Sequence, residues 1–568
     1  MHILHSTHVY PSGAKLQRKS LPLSPLRYTS GRSIANHCSD WRIPLSRCNL
    51  MRLGLLFITS LHLCFITSPS AAQLPPPSPD PLAKQSAATQ ACSATEASCA
   101  AAAAKILPQV MGPSPMEENL RRLTDEIGGR VTGSPEMAKA VDWAVAAFRA
   151  AGVDVHTEKY KLPVTWSEGD TRLELLGPEK FPVRLVAEGW SPSTPPGGIE
   201  ADLIDVGPGA EDDFARAGSA VKGAILLVST EIGSTWADLF NEYALPPAII
   251  DRAMKGGAAA ILWMGARERL LLYRHTNTGE DQLDVIPQAM VAREDAMRLA
   301  RAIVASPGKL RVRFTMPNKI GGPVDQFNVI GEIRGYEKPD EAVILGAHLD
   351  SWEFGTGALD NGCNAALVIE AARAIKATGL VPRRTIRFAL FSGEEQGMFG
   401  SWQYVIAHRA ELDKIRGVIV YDSGIGRVSG YSLSGRREIR DALQEILKPL
   451  GSWDVNHHSL DGDIGTDNWD FLLEGVPTMV ANQDEANYLP NYHAASDTFD
   501  KVDIRELKIN TAIAAVTAWG VADRAEPLGK RLSRAEIEEQ LRDTGLDEKM
   551  KQQRYWDLWQ NGTHGRKP

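Results

Sequence analysis

Apolar positions change their rhythm along this chain, and the changes mark out its parts. Leu120, Leu123 and Ile127 trace one helical face starting from Met116, until Gly128 and Gly129 stop it. A second helix opens on Ser134 as cap with Pro135 in first position. It then carries Met137, Val141, Ala144, Val145 and Phe148 on one face and ends at Gly152. Between about 166 and 320 the apolar runs shorten to strand length, at 203–206, 224–228 and 259–263, with Ile286, Pro287, Met290 and Val291 continuing the pattern. After Asn328 strands (328–333, 342–349, 385–391, 418–421, 478–480) alternate with helices (365–375, 439–447). That alternation predicts an α/β fold class: a mixed sheet with helices on both faces, interrupted by an inserted β-rich domain. Apolar residues at helical spacing within the charged stretch 532–559 predict an appended helix or helical pair.

The expected division is a leader at 1–72, a Pro/Ala-rich linker at 73–114, a catalytic domain at 115–165 and 321–525, an insert at 166–320 and a tail at 526–568. The run Leu53–Ile66 follows Met51 and Arg52 and precedes Ser70, Ala71 and Ala72, the pattern of a signal peptide cut before Gln73. Either Met51 is the true start or the leader has an unusually long basic front. Export to the periplasm or outside follows, with a lysosomal destination open for a eukaryotic source and no stable membrane insertion after cleavage. Cys38, Cys48 and Cys64 go with the leader, and Cys92, Cys99 and Cys363 make no disulfide framework. Cys363 reads as a small buried residue at a helix start. A chain of 568 residues with 43% hydrophobic and 23% charged positions is soluble and multidomain, and its net charge of -8, with no basic stripe, excludes a nucleic-acid binder.

Candidate chemistry sits at strand ends, where the loops of an α/β sheet converge. One strand ends in His348, Leu349 and Asp350, and a Gly-rich turn then delivers Asp360. The strand "TIRFALFSG" runs into Glu394 and Glu395, another into Tyr421 and Asp422, and a late loop carries His493 and Asp497. Singly each is an ordinary cap or turn residue. Adjacent carboxylates straight after an apolar strand repel unless a cation or a proton intervenes, and imidazole with carboxylate and no paired cysteines suits zinc. Three carboxylates and a hydroxide balance two such dications. No Gly-x-Ser-x-Gly elbow appears in this region, which removes a serine triad.

The strings "ILGAHLDSWEFGTGALDNGCNAA", "FALFSGEEQGMFGSWQY", "VIVYDSG" and "NYHAASDTFDKVD" resemble the zinc peptidases with two co-catalytic metals, which include bacterial leucyl aminopeptidases, and within them the carboxypeptidase Q branch. Within the insert, "GAILLVST", "RAMKGGAAAILWMG" and "IPQAMVAREDAMRLARAI" resemble a protease-associated domain. The resemblance implies a zinc exopeptidase fold and two Zn2+ per chain. Asp360 would bridge them, His348 and Asp422 complete one, Glu395 and His493 complete the other, and Glu394 stand uncoordinated as catalytic base. Asp350 would orient His348 by accepting its other ring N–H, with Asp497 and Asp467 as further supports. The resemblance also implies small unblocked peptides as substrates, a dipeptidase activity and a homodimer. A broad aminopeptidase, a true carboxypeptidase and a non-catalytic binder on the same fold stay open, though no ligand residue has been lost. Glu353 is a candidate for binding a substrate ammonium.

Overall fold

The computed structural model describes residues 94–277, 282–306, 310–462 and 464–567, so the leader, the signal peptide and Cys92 lie outside the described residues. One seven-stranded sheet runs in the order 154–162, 324–333, 384–391, 338–348, 415–420, 478–483, 428–432. The four strands Arg384–Phe391, Lys338–His348, Ile415–Val420 and Thr478–Gln483 are parallel, with antiparallel strands at both margins. Its central strands are apolar on both faces because both faces are covered. Val343, Leu345 and Ala347 pack toward the helices Cys363–Ala377 and Ile504–Asp523, while Ile344 packs with Tyr404, Val405 and Phe471 on the opposite side. Cys363 is buried at the first position of its helix.

A second seven-stranded sheet, built from residues 172–315, combines three parallel pairings with antiparallel margins. The helices Glu211–Ala217, Trp236–Ala244, Pro246–Gly256 and Arg293–Ala305 accompany it. The chain enters and leaves it through a two-stranded antiparallel ribbon, Thr165–Ser167 against Lys319–Gly321.

Two segments differ from expectation. The stretch assigned to a linker contains the helix Ala94–Met111. Alanine is the strongest helix former, and Cys99, Ala102, Ala103, Ile106 and Val110 recur on one face, all buried in the main core. The tail is three short helices, Arg534–Asp543, Leu546–Gln552 and Tyr555–Gln560, the first held by a capping box between Ser533 and Glu536. Ile537, Leu541, Met550 and Trp559 bury themselves against Met398, Trp469, Leu472 and Leu473, so the tail is a wall of the catalytic body.

Ile106 tests the role of the first helix, because its side chain is fully buried. Ile106→Ala should lower unfolding stability by about 2–5 kcal/mol, read by denaturant titration, whereas a true linker would show no change.

Candidate metal centre

The parallel strands deliver the site from their carboxyl ends. His348 is the last residue of its strand and pairs in register with Phe391, and Glu394 and Glu395 follow that phenylalanine through a turn at Gly393, φ +82°. Asp422 lies two residues past the strand ending at Val420, and His493 is held at φ +57° in the loop beyond Gln483. Asp360 precedes a cis peptide bond to Asn361, whose side-chain Nδ2 donates to the Tyr421 carbonyl at 2.9 Å. His348 Nε2 is 3.1 Å from Asp360 Oδ1 and 2.9 Å from Asp422 Oδ1. His493 Nε2 is 3.2 Å from the other Asp360 oxygen and 2.9 Å from Glu395 Oε2. Glu394 stands further back, its Oε2 4.0 Å from His348 Nε2. The structure therefore brings together His348, Asp360, Glu394, Glu395, Asp422 and His493, with Asp360 shared between the two histidines.

Proton placement decides what this cluster needs. His348 Nδ1 donates to the Asp350 carbonyl at 3.0 Å, and His493 Nδ1 donates to the Arg274 carbonyl at 2.8 Å. Each neutral ring then turns its Nε2 lone pair on two carboxylates, a repulsive contact unless a cation lies between. Asp360 Oδ2 and Glu395 Oε1 are buried without a hydrogen-bond partner. Ligand atoms about 2.0–2.1 Å from a tetrahedral ion sit a little over 3 Å apart, close to the spacings seen here. This donor set fits a divalent cation. With protons alone, burial raises Glu395 to about 7 and Asp422 to about 6. His493, which burial would lower, is held up at about 10 by Glu395 and Asp360. Asp360, which burial would raise, is instead held low by His348 and His493, so protons collect on His493, Glu395 and Asp422 around it and mark a site short of positive charge.

The surrounding groups partly revise the sequence reading. The Asp350 acceptor for His348 is its main-chain oxygen; its carboxylate stands 3.7 Å from that ring nitrogen and accepts instead from the amides of Glu394 and Glu395, 3.3 Å each. Asp350 thus ties the His348 strand end to the glutamate turn. Asp497 supports Asp360 rather than His493: Oδ1 accepts from the amides of Ala358 and Leu359 at 3.1 and 2.6 Å, and Oδ2 from that of Asp360 at 3.1 Å. Asp467 is buried, its carboxyl pushed up by that burial to about 8, and forms no ion pair with either histidine. Glu353 is engaged by the buried Arg274 guanidinium, which also pairs with Glu168.

Sequence reasoning missed Arg130 and the insert loop. Arg130, fully buried, donates to the carbonyls of Leu349, Thr356 and Gly357 and so clamps the loop between His348 and Asp360. The loop Leu272–His275 pairs with the His493 loop through a bridge between Tyr273 and Ala494, and His275 Nδ1 approaches His493 Nδ1 at 3.1 Å. Both are tertiary contacts between residues more than 200 positions apart, with no local signal.

A sequence profile of peptidase family M28 matches residues 328–518. Mouse carboxypeptidase Q is 32% identical over 415 residues, covering 72% of this chain and 86% of the mouse protein. The chain belongs to peptidase family M28. A solved peptidase M28 precursor from Shewanella amazonensis is 26% identical with a TM-score of 0.69, covering 77% of this chain and 100% of that one. BSAP, a zinc aminopeptidase from Bacillus subtilis, shares the fold at 20% identity and a TM-score of 0.57, covering 74% of this chain and 97% of its own. This M28 chain is a metallopeptidase, and peptides are its substrates.

In the M28 chain a cavity of about 950 Å3 opens over the cluster. It is walled by the strand-end loops, by the insert helix Trp236–Ala244 and by the tail. Its volume is that of a small-ligand site rather than a long groove.

Asp497 provides a test of the loop scaffold. Asp497→Ala leaves three buried amides without an acceptor and should cost on the order of 3 kcal/mol or more, whereas Asp497→Asn keeps one acceptor oxygen and should cost less. Equal urea midpoints for Asp497→Ala and the parent chain would remove the scaffold role.

Proposed function

We propose that this chain is an exported two-zinc exopeptidase that hydrolyses short unblocked peptides, a dipeptidase of carboxypeptidase Q type. The observation that carries the reading is the pair of histidines, each with its Nδ1 proton fixed on a main-chain carbonyl and its Nε2 turned on carboxylates that share Asp360. His348 with Asp422 would hold one ion and His493 with Glu395 the other, with Asp360 between. Zinc bound there lowers the pKa of water toward neutrality and polarises a carbonyl.

The chain's own residues do the rest. Glu394, its carboxylate 4.0 Å from the His348 imidazole, takes the proton of the attacking water and returns it to the leaving amine. Asp350 holds the amides of Glu394 and Glu395, which keeps the proton carrier and the neighbouring ligand on one rigid turn. The walls formed by the insert and the tail suit the cleft to short substrates. Export is supported by the apolar run at 53–66, and no described helix is long and apolar enough to cross a membrane.

Glu394 and Glu395 should separate by phenotype although they are neighbours. Glu394→Gln should keep both metals and lose about 10²–10⁴-fold in kcat on a free dipeptide. Glu395→Ala should lose metal by elemental analysis. A metal-depleted Glu394→Gln beside a fully active Glu395→Ala would overturn the assignment.

A further inference from the structure

An exopeptidase that selects short free peptides must recognise a terminal charge as well as the scissile bond, and in a zinc-loaded cluster the ligand carboxylates and a hydroxide already balance the ions. A substrate carboxylate therefore needs a cation elsewhere in the cleft. Among the described residues the cavity has two Lys or Arg side chains in its lining, Lys549 and Arg554, both from the tail. Arg554 is engaged: its guanidinium donates to the Pro247 carbonyl at 2.9 Å and pairs with Asp251 at 2.7 Å, stitching the tail to the insert.

Lys549 is different. It is half-buried on the helix Leu546–Gln552, and no carboxylate among the described residues lies within ion-pairing distance. The contact of its ammonium is the face of the Phe240 ring, 5.4 Å away on the insert helix that forms the facing wall. Its neighbours Asp547 and Glu548 pair with Lys551 and leave it free. The backbone around it is fixed, since Leu546 and Met550 on either side are fully buried against the catalytic body.

Resting on the short-peptide reading above, we propose that Lys549 binds the free C-terminal carboxylate of the substrate, so that the tail sets specificity at the end of the cleft. An ammonium held half out of water between an aromatic face and a cavity wall gains more from a carboxylate than an exposed lysine does. A substrate lacking that charge leaves the ammonium without its partner, a penalty paid as binding.

The test compares an alanyl dipeptide and tripeptide, each free and C-terminally amidated, on the zinc-loaded full chain, on Lys549→Met and on Lys549→Arg. The parent should favour the free form of at least one length by roughly tenfold or more in KM. Lys549→Met should abolish that preference by raising KM for the free peptide, with kcat and melting temperature unchanged, and Lys549→Arg should retain it in part. Calorimetry on zinc-loaded Glu394→Gln, with and without Lys549→Met, reads the same contact without turnover. Equal KM values for free and amidated peptides in the parent, or a preference that survives in Lys549→Met, would overturn the proposal while leaving the peptidase reading intact. A binding difference without hydrolysis would support the carboxylate contact and count against the peptidase reading.

Discussion

Four carboxylates and two imidazole lone pairs converge on one buried volume, and the organisation of the catalytic body follows from that repulsion. Two like charges about 4 Å apart repel by roughly 4 kcal/mol even at an effective dielectric of about 20. Several such pairs among Asp360, Glu394, Glu395 and Asp422 add up to a sizeable part of the roughly 5–15 kcal/mol by which a domain is stable. Protons can relieve the strain, and the raised Glu395, Asp422 and His493 record that route. Metal ions relieve it and leave a reactive centre.

A charged cluster of this kind has to be held in place by something other than its own contacts. The strand ends fix His348, Asp422 and the glutamate turn, and Asp350 links two of them through backbone amides. The intervening loop is gripped on one side by Arg130, through three carbonyls, and on the other by Asp497, through three amides. The insert completes the frame, because the carbonyl that fixes the His493 tautomer belongs to Arg274. The second sheet is thus joined to the chemistry as well as to the substrate path.

The parts legible in the sequence were those with a local physical signature. Strands flanked by glycine, the Ser134–Pro135 helix start and the carboxylates that follow apolar strands all announce themselves within a few residues. Four of the six cluster residues, His348, Glu394, Glu395 and Asp422, sit where a parallel sheet gathers its strand ends, while the roles of all six, including Asp360 and His493 on longer loops, are what the family resemblance implies. What stayed hidden depends on tertiary packing. Ala94–Met111 has the composition of a linker and is a helix because its alanine face fits the helix Ile504–Asp523. Arg130 and Arg274 look like surface cations until the fold buries them. Glu353 reads as a free turn carboxylate in the sequence, and the fold pairs it with Arg274.

The account stands on the claim that the charge missing from the cluster is supplied by two ions sharing Asp360. Anomalous diffraction at the zinc edge, from crystals of the full chain grown with zinc, measures this directly. The account predicts two peaks about 3.5–4 Å apart, both against Asp360, one beside His348 and the other beside His493. A cluster with no peak, or with one ion bound by both histidines, would contradict it.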